Sequence, residues 1–452
     1  MQYQGWHFEK TLLIRSMSGI AAREFIDVRM PVETVASGNL QNDVRVVLKG
    51  DWNQLDREIP SQVYDIRTHG TVTTCRVAFH VDLPAHAMQR IGIFYDNPIA
   101  AAPNYPAQLE VRETPTGATI KTSRYMVETE VRTGLIKGIV GRIDVPNLDP
   151  RLIRCSDVQQ EFAAVVFAMN AGDAVHPVRV SAANWTGARI VEDIRGPVFI
   201  KLTRRGHLLP GPDLPLEASP VLTVTCKYFA DQNYFLVHSR IEFPVEARVF
   251  GVFHGVLRAE RAKFTHYSFR PVSPDLPNSE IEEMGHILID PEHTADLPPG
   301  IASSGLLPYD LAWQAFISTR KGSECGLAAL QLRSSDQSPG RPFPYYRKSA
   351  YLEREAGSAA FFRAPIYAKI RNRPENVAVI PAGSVVENLD AWVWDVFDRD
   401  WGVRTDQLGK RLNSPPVVEM HPPMLAGPVP LEIDEPLPRG ERAAAYLRYG
   451  VR

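Results

Sequence analysis

The segment Asn233–Phe243 places side chains suited to acid–base chemistry at alternate positions. Because alternate residues of a β-strand share one face, His238, Arg240 and Glu242 are expected to point the same way, while the apolar residues between them face a core. An imidazole, a guanidinium and a carboxylate on one surface can move a proton and hold a polar or anionic group. A solvated outer face is the alternative, since antiparallel sheets commonly expose one side to water. The presence of His and Arg rather than Lys and Ser favours a binding or catalytic face.

Two further histidines, His254 and His266, lie on the strands predicted next along the chain. Arg270 shares the face of His266, whereas Tyr267 points to the other face. If consecutive strands pair as hairpins, their polar rows lie side by side. The sequence therefore predicts one polar surface that extends over these strands.

These residue types suit β-elimination next to a uronate carboxylate. That reaction needs a base, a cation that offsets the carboxylate charge as the enolate forms, and an acid for the leaving oxygen. Hydrolysis or epimerisation with Glu242 or Glu353 as acid/base is the alternative. The candidates for elimination are His254 and His266 as base, Tyr267 and Tyr346 as acid, and Arg240, Arg270 and Arg347 as carboxylate ligands, with His238 lining the same surface.

Trp392 and Trp394 share one face of a predicted strand. Aromatic pairs at a surface give flat apolar platforms on which a sugar ring can rest, although tryptophans more often pack in the core. The pair adds two candidate substrate-binding residues.

The segment with His286, Asp290 and His293 resembles a set of metal ligands in its spacing. It reads as a strand followed by a turn, so the three side chains need not converge, and the interpretation without a metal is favoured. The sequence has no glycine-rich phosphate loop, GxSxG elbow, HExxH motif or dinucleotide fingerprint. No cofactor is therefore expected.

The composition limits the classes of partner. Lys and Arg total 50 against 52 Asp and Glu, a net charge of -2, which argues against binding nucleic acid through bulk charge. No apolar run approaches the ~18 residues of a membrane span, and no secretory signal is recognised. The four cysteines form no CxxC pair, which favours free buried thiols. We therefore expect a cytoplasmic protein.

The elements that must position the candidate residues are strands. Period-two segments separated by turn residues run through most of the chain, and the 37 prolines oppose long helices. We predict an all-β fold in which Ala118–Val131 forms one long strand. The expected regions are a small β-sandwich or barrel over residues 1–112, a large antiparallel two-sheet supersandwich over 113–400, and a strap over 401–452 with short helices at Arg404–Leu412 and Glu441–Tyr449.

Several segments are similar, in their order along the chain, to those of one known family. They are Ala85–Tyr95 followed by Asp96-Asn97-Pro98 and Pro103-Asn104-Tyr105, Tyr125–Glu130 followed by Thr133-Gly134-Leu135-Ile136, and the two strands Tyr234–Phe243 and Phe264–Arg270. They resemble the exo-rhamnogalacturonan-lyase-like proteins over roughly residues 20–395, at the level of architecture. The resemblance implies a galactose-mutarotase-like β-supersandwich and lyase activity. Such proteins usually carry an additional α/α-toroid domain, for which this helix-poor chain has no room.

The predicted function is that of a carbohydrate-active enzyme, a lyase acting by β-elimination on a uronate-containing oligosaccharide or glycoside. One alternative is a glycoside hydrolase or sugar epimerase with paired acid/base residues. Others are a non-catalytic carbohydrate-binding or structural β-protein, and a subunit that completes its site with a partner chain. The expected partner is a carbohydrate, with neither nucleic acid nor a membrane, and a homo-oligomer or a partner subunit is compatible with the sequence.

Overall fold

The computed structural model describes most of the chain. The described residues are 6–32, 40–50, 55–70, 72–97, 99–106, 108–143, 151–155, 158–171, 174–211, 215–260, 264–271, 286–288, 304–308, 311–319, 324–339, 349–355, 358–367, 377–395, 397–398 and 400–421.

Within these residues the secondary structure consists almost entirely of β-strands, which confirms the predicted all-β class. The strands are β1 (Phe8–Arg15), β2 (Ala22–Val32), β3 (Arg45–Leu48), β4 (Arg57–Ile59), β5 (Ser61–His69), β6 (Val72–Leu83), β7 (Met88–Tyr95), β8 (Glu110–Glu113), β9 (Gly117–Lys121), β10 (Tyr125–Glu130), β11 (Ile136–Ile143), β12 (Arg151–Cys155), β13 (Val158–Gln160), β14 (Ala163–Ala171), β15 (Ala174–Ser181), β16 (Thr186–Arg195), β17 (Phe199–His207), β18 (Val221–Phe229), β19 (Tyr234–Phe243), β20 (Ala247–Glu260), β21 (His266–Pro271), β22 (His286–Leu288), β23 (Ser304–Pro308), β24 (Leu311–Ser318), β25 (Cys325–Gln337), β26 (Ser349–Glu355), β27 (Ser358–Tyr367), β28 (Ala378–Ile380), β29 (Ser384–Asp395) and β30 (Val417–His421). The helices are α1 (Leu40–Asp43) and α2 (Trp401–Asn413), and a 3₁₀ turn covers Leu216–Ala218.

The first of two compact units is a β-sandwich. It comprises Met1–Leu109, Ile194–Phe199 and Lys410–Arg452. It contains a five-stranded sheet in the order β30-β1-β7-β3-β4 and a three-stranded sheet in the order β2-β6-β5. Alternate apolar residues of both sheets form one buried cluster, which includes Leu12, Val28, Phe79 and Ile93. This clean alternation is why the sequence reads as short, half-buried strands.

The second unit contains two larger antiparallel sheets. It comprises Glu110–Asp193 and Ile200–Gly409. One sheet has nine strands in the order β16-β17-β18-β19-β29-β25-β24-β21-β22. The other has thirteen, in the order β23-β26-β27-β20-β13-β11-β10-β9-β8, with β12, β14, β15 and β28 paired beside this path.

Aromatic rings from both sheets meet in the layer between them. Phe361 of β27 stacks on Trp392 of β29 with an interplanar angle of 9°, and it also contacts Tyr267 and Phe316 from the nine-stranded sheet. The phenol of Tyr125, on β10, donates a hydrogen bond to the carbonyl oxygen of Tyr234 on β19. These contacts make the second unit a two-sheet sandwich with an aromatic core.

The prediction of one strand over Ala118–Val131 is wrong. A turn at Thr122 separates β9 from β10, which pair with each other as a hairpin. The Thr122 hydroxyl accepts hydrogen bonds from the backbone N–H groups of Arg124 and Tyr125. A threonine hydroxyl that binds the following backbone in this way competes with the ladder and ends the strand.

The expected side-by-side arrangement of three consecutive polar strands is also wrong. β20 does not pair with β19 but lies in the thirteen-stranded sheet, and β21 is separated from β19 by β29, β25 and β24. At about 4.8 Å between neighbouring strands, β19 and β21 are roughly 19 Å apart. The physical reason is that β20 carries buried apolar residues on both of its faces, among them Val249, Val252 and Leu257. Such a strand requires a central place in a covered sheet.

Neither helix of the described residues has the length and hydropathy that crossing a membrane would require. The predicted helix at Arg404–Leu412 overlaps α2, and the predicted helix at Glu441–Tyr449 lies outside the described residues.

Gly141 of β11 lies against Trp394 of β29 in the facing sheet, and we expect Gly141→Ala to lower the free energy of unfolding. A Cβ at this position would overlap the indole ring of Trp394, and overpacking in a core typically costs about 1–3 kcal/mol. Chemical denaturation measures the effect. Gly402→Ala is the control, because a Cβ there meets nothing within 4 Å, and it should not destabilise the protein. Equal effects of the two substitutions would contradict the close approach.

Candidate functional site

One face of the nine-stranded sheet carries a row of polar and charged side chains across six adjacent strands, β16, β17, β18, β19, β29 and β25. We call this row the polar face. Its residues are Glu192, Lys201, Thr203, Thr225, His238, Arg240, Glu242, Arg333, Ser335 and Glu387. The opposite face of β18, β19, β29 and β25 is buried against the core described above, whereas the opposite face of β16 is exposed.

The alternation within β19 follows the expected pattern. Phe235, Val237 and Ile241 are buried, whereas His238, Arg240 and Glu242 are half-buried on the polar face. The strand partners keep this pattern, because Thr225 of β18 lies directly opposite His238 and Glu387 of β29 lies directly opposite Arg240.

A short chain of contacts joins the residues of the polar face on β16, β17 and β18. Glu192 Oε2 lies 2.6 Å from Lys201 Nζ and accepts a hydrogen bond of 3.0 Å from the Thr203 hydroxyl. The hydroxyls of Thr203 and Thr225 are 3.1 Å apart. These bonds fix the positions of donors and acceptors across three strands.

Arg240 is the centre of a second group of contacts, which joins the residues of the polar face on β19, β29 and β25. Its Nη1 lies 2.7 Å from Glu242 Oε1, and its Nε lies 2.8 Å from Glu387 Oε1. Glu387 also accepts hydrogen bonds from Arg333 Nη2 at 3.3 Å and from the Ser335 hydroxyl at 3.5 Å. Each carboxylate therefore already has an arginine partner.

His238 of β19 lies between these two groups of contacts, opposite Thr225 of β18. Burial lowers its pKa; Glu387 acts in the opposite direction, and the cations Arg333, Arg240 and Lys201 lower the pKa further. The imidazole is therefore neutral at pH 7, with one nitrogen able to donate and the other to accept.

The six charged side chains of this row make opposite-charge contacts, and Arg205 and Lys227 add two further cations at alternate positions of β17 and β18. Three cations, Lys201, Arg240 and Arg333, lie against three carboxylates, those of Glu192, Glu242 and Glu387. A row of ion-paired side chains with fixed donors and acceptors is suited to a ligand rich in hydroxyl groups, since every hydroxyl can donate and accept. The positive charge of Arg240 and that of Arg333 are each offset by a carboxylate within the row.

A second polar cluster is enclosed between the two sheets. Arg363 of β27 donates from Nη1 to Asp390 Oδ1 at 2.6 Å and from Nη2 to the carbonyl oxygen of Ala329 at 3.0 Å. Asn388 Nδ2 donates to Asp390 Oδ2 at 2.7 Å. Gly255 has a φ of 58°, and a Cβ there would lie 2.7 Å from Asp390 Oδ2, so both its conformation and its contact require glycine.

His254 joins the same buried layer. Its Nδ1 and the Ser239 Oγ are hydrogen-bonded at 2.7 Å, which connects β20 to β19. Because Ser239 and Arg240 are successive residues, His254 lies on the face opposite to the polar face. Burial lowers the pKa of His254 to about 3, with His238 and Arg363 contributing further. The ring is only 1 % exposed, so it is enclosed within the core.

The other described candidates fall into two locations. Tyr267, Trp392 and Trp394 are buried in the aromatic core, where the Tyr267 phenol donates to Gln314 Oε1 and burial raises its pKa. His266 is half-buried at β21, with Nδ1 2.8 Å from the Thr265 hydroxyl. The structure therefore brings His238, Arg240 and Glu242 together, and places His254, His266, Tyr267, Trp392 and Trp394 elsewhere.

Several predicted site residues lie outside what the structure describes. Tyr346, Arg347, Asp290 and His293 are not among the described residues, and the side chains of Arg270, Glu353 and His286 are not described. Within the described part of the chain, no cluster of three or more His, Cys, Asp or Glu side chains is positioned to hold a metal ion.

Four residues of the polar face are not predicted from the sequence, namely Glu387, Arg333, Lys201 and Glu192. The sequence offers one signal for them, which is that they occupy alternate positions of predicted strands. In β29, for example, the half-buried Val385, Glu387 and Leu389 alternate with buried residues. The convergence of the four residues depends on the pairing of β19 with β29, which no short-range pattern indicates.

The fold is similar to that of two solved structures, although no family model and no curated protein matches the sequence. One is an α-mannosidase from Enterococcus faecalis, with a TM-score of 0.51 at 9% identity, covering 92% of this chain and 46% of that chain. The other is a protein of glycosyl hydrolase family 38 from Enterococcus faecalis, with a TM-score of 0.53 at 10% identity, covering 92% of this chain and 47% of that chain. At these identities the likeness concerns the fold, and this chain spans less than half the length of either structure.

Proposed function

We propose that the protein acts on carbohydrate as a glycoside hydrolase, and that the polar face is the surface that binds the sugar. The observation that carries this proposal is the row of ion-paired donors and acceptors on six adjacent strands. The neighbours of known structure, an α-mannosidase and a family 38 protein, support the hydrolase alternative better than the lyase.

The geometry argues against the elimination mechanism in two ways. A lyase needs a cation that is available to a uronate carboxylate, whereas Arg240 already lies between the carboxylates of Glu242 and Glu387. It also needs a base that reaches the substrate, whereas His254 is enclosed in the core and His266, on β21, is separated from β19 by three strands.

Hydrolysis of a glycosidic bond requires two carboxyl groups, one of them as acid. Glu242 and Glu387 are the pair that the polar face offers. Both form ion pairs with the same side chain, that of Arg240, which holds the two carboxylates in place as hydrogen-bond acceptors for sugar hydroxyl groups. This same feature favours a second candidate function, a carbohydrate-binding surface without turnover.

The test combines turnover and binding on the full chain. The 4-nitrophenyl glycosides of neutral hexoses, beginning with the α-mannoside, report hydrolysis by release of nitrophenol, and calorimetry with the parent sugars reports binding. Uronate oligosaccharides, followed by absorbance of a new C=C bond, report elimination. Binding without turnover selects the second candidate, and elimination without hydrolysis contradicts the proposal.

Arg240→Met is expected to weaken sugar binding about 10–100-fold, since hydrogen bonds to charged groups contribute about 1.5–3 kcal/mol. The substitution also leaves Glu242 and Glu387 without their common partner. Calorimetry measures the change, and thermal melting checks that the variant is folded. Arg90→Met is the matched control, because Arg90 is exposed on β7 of the first unit, and it should bind sugar like the wild type. Equal affinity of both variants would place the ligand elsewhere.

A further inference from the structure

β16 forms one edge of the nine-stranded sheet. Among the described residues it pairs with β17 alone, so the other side of the strand presents backbone N–H and C=O groups that can pair with another strand. The strand has ten residues, and most of its side chains are exposed. Ile190 and Val191 at its centre are 47 % and 48 % exposed.

The sequence of β16 is self-complementary in an antiparallel arrangement centred on Val191. A two-fold axis perpendicular to the sheet keeps the same face of both copies on the same side, and directly opposite side chains of an antiparallel pair share a face. Odd-numbered residues of one copy must therefore lie opposite odd-numbered residues of the other, and even-numbered opposite even-numbered. With Val191 opposite Val191 of the second copy, Arg189 lies opposite Asp193, and this pair occurs twice. Arg189, Val191 and Asp193 are all exposed on one face.

We propose that two copies of the chain associate through β16, so that their nine-stranded sheets form one continuous sheet. Two identical apolar residues at the axis and two opposite-charge pairs beside it each stabilise such an arrangement, at cross-strand distances of about 4.5–5.5 Å. Charged residues on an edge often serve to prevent pairing. Here the charges alternate in sign at spacings that match under the two-fold axis, so they favour one register with a second copy.

The association has a consequence for the polar face. A two-fold axis perpendicular to the sheet leaves the polar faces of both copies on the same side. Glu192, at the end of the polar face, lies on β16 itself, so the two faces would become neighbours in one extended surface. This consequence does not depend on which ligand the polar face binds.

Sedimentation velocity of the full chain tests the association through charge reversal. The wild type should sediment as a dimer of the 50.5 kDa chain. Arg189→Asp and Asp193→Arg should each be monomeric, because like charges then face each other. An equimolar mixture of the two variants should form dimers, and the double variant should dimerise alone, because both restore opposite charges. Since both residues are exposed, circular dichroism should be unchanged.

Cysteine cross-linking tests the register independently. Val191→Cys should give a disulfide-linked dimer on a non-reducing gel, because this residue faces its own copy at the axis. Ile190→Cys is the control and should not cross-link, since its partner in this register is Glu192. A monomeric wild type, a dimer that persists in both charge variants, or cross-linking by Ile190→Cys alone would overturn the proposal.

Discussion

Replacing Arg363 with methionine is expected to lower the free energy of unfolding by about 3–5 kcal/mol, the usual effect of removing one partner of a buried ion pair. The side chains of Arg363 and Asp390 are 0% and 2% exposed. Burial already raises the pKa of Asp390, and Arg363 and Asn388 oppose that effect. Without the guanidinium the carboxylate stays buried with Asn388 as its remaining partner, and the carbonyl of Ala329 also loses its donor. Chemical denaturation at pH 7 measures the loss.

Two controls separate charge burial from loss of packing. Arg404→Met removes an arginine from the partly exposed carboxylates of Asp395 and Asp398, and we expect a change of at most about 1 kcal/mol. The double variant Arg363→Met/Asp390→Leu removes both charges and should recover much of the stability lost in Arg363→Met. If the double variant were less stable than the single variant by a further several kcal/mol, the pair would be stabilising as a whole.

The face of each residue in β19 could be predicted from the sequence, but the location of the strand's partners could not. Alternation of apolar and polar residues decides which side chains point to the core, and this is a local property. The partner β29 lies far along the chain, and its register opposite β19, Arg240 against Glu387, results from packing of the whole sandwich. The polar face therefore could be predicted as an alternation within single strands, but not as one surface.

β19 and β20 follow each other in the chain but belong to different sheets. His254 looked like a site residue because it stands in an apolar strand that directly follows β19 in sequence. The connection between the two strands instead crosses to the other sheet, so that His254 meets Ser239 from the core side. A single histidine in a strand that is apolar on both faces is the signal of such a buried location.

The buried ion pair of Arg363 could not be predicted from the sequence for a similar reason. Arg363 stands alone among apolar residues in β27, where a charged side chain is enclosed on both sides and requires a buried partner. The partner, Asp390, could not be found from the sequence because β27 and β29 belong to different sheets. The rule that buried charges are paired predicts that a partner exists without identifying it.

The buried location of His254 leads to a second expected effect, on the dependence of stability on pH. In the unfolded chain this histidine has an ordinary pKa of about 6.5, whereas burial lowers it to about 3 in the folded protein. Between these values the unfolded chain binds a proton that the folded protein does not. The contribution of His254 is therefore fully present above about pH 6.5 and is lost as the pH falls toward 3, by about 1.4 kcal/mol per pH unit.

His254→Gln should remove this part of the slope, because an amide can bond to Ser239 without titrating. We expect the difference in unfolding free energy between wild type and variant to change by about 1.4 kcal/mol per pH unit between pH 6 and 4, with the wild type losing stability faster. Denaturation series at fixed pH values measure this difference, in which the carboxylates common to both proteins cancel. His69→Gln is the matched control for exchanging an imidazole for an amide, since His69 is exposed at the end of β5, and it should not reproduce the effect of His254→Gln. Parallel curves for His254→Gln and the wild type would mean that the imidazole takes up a proton as readily in the folded protein as in the unfolded chain.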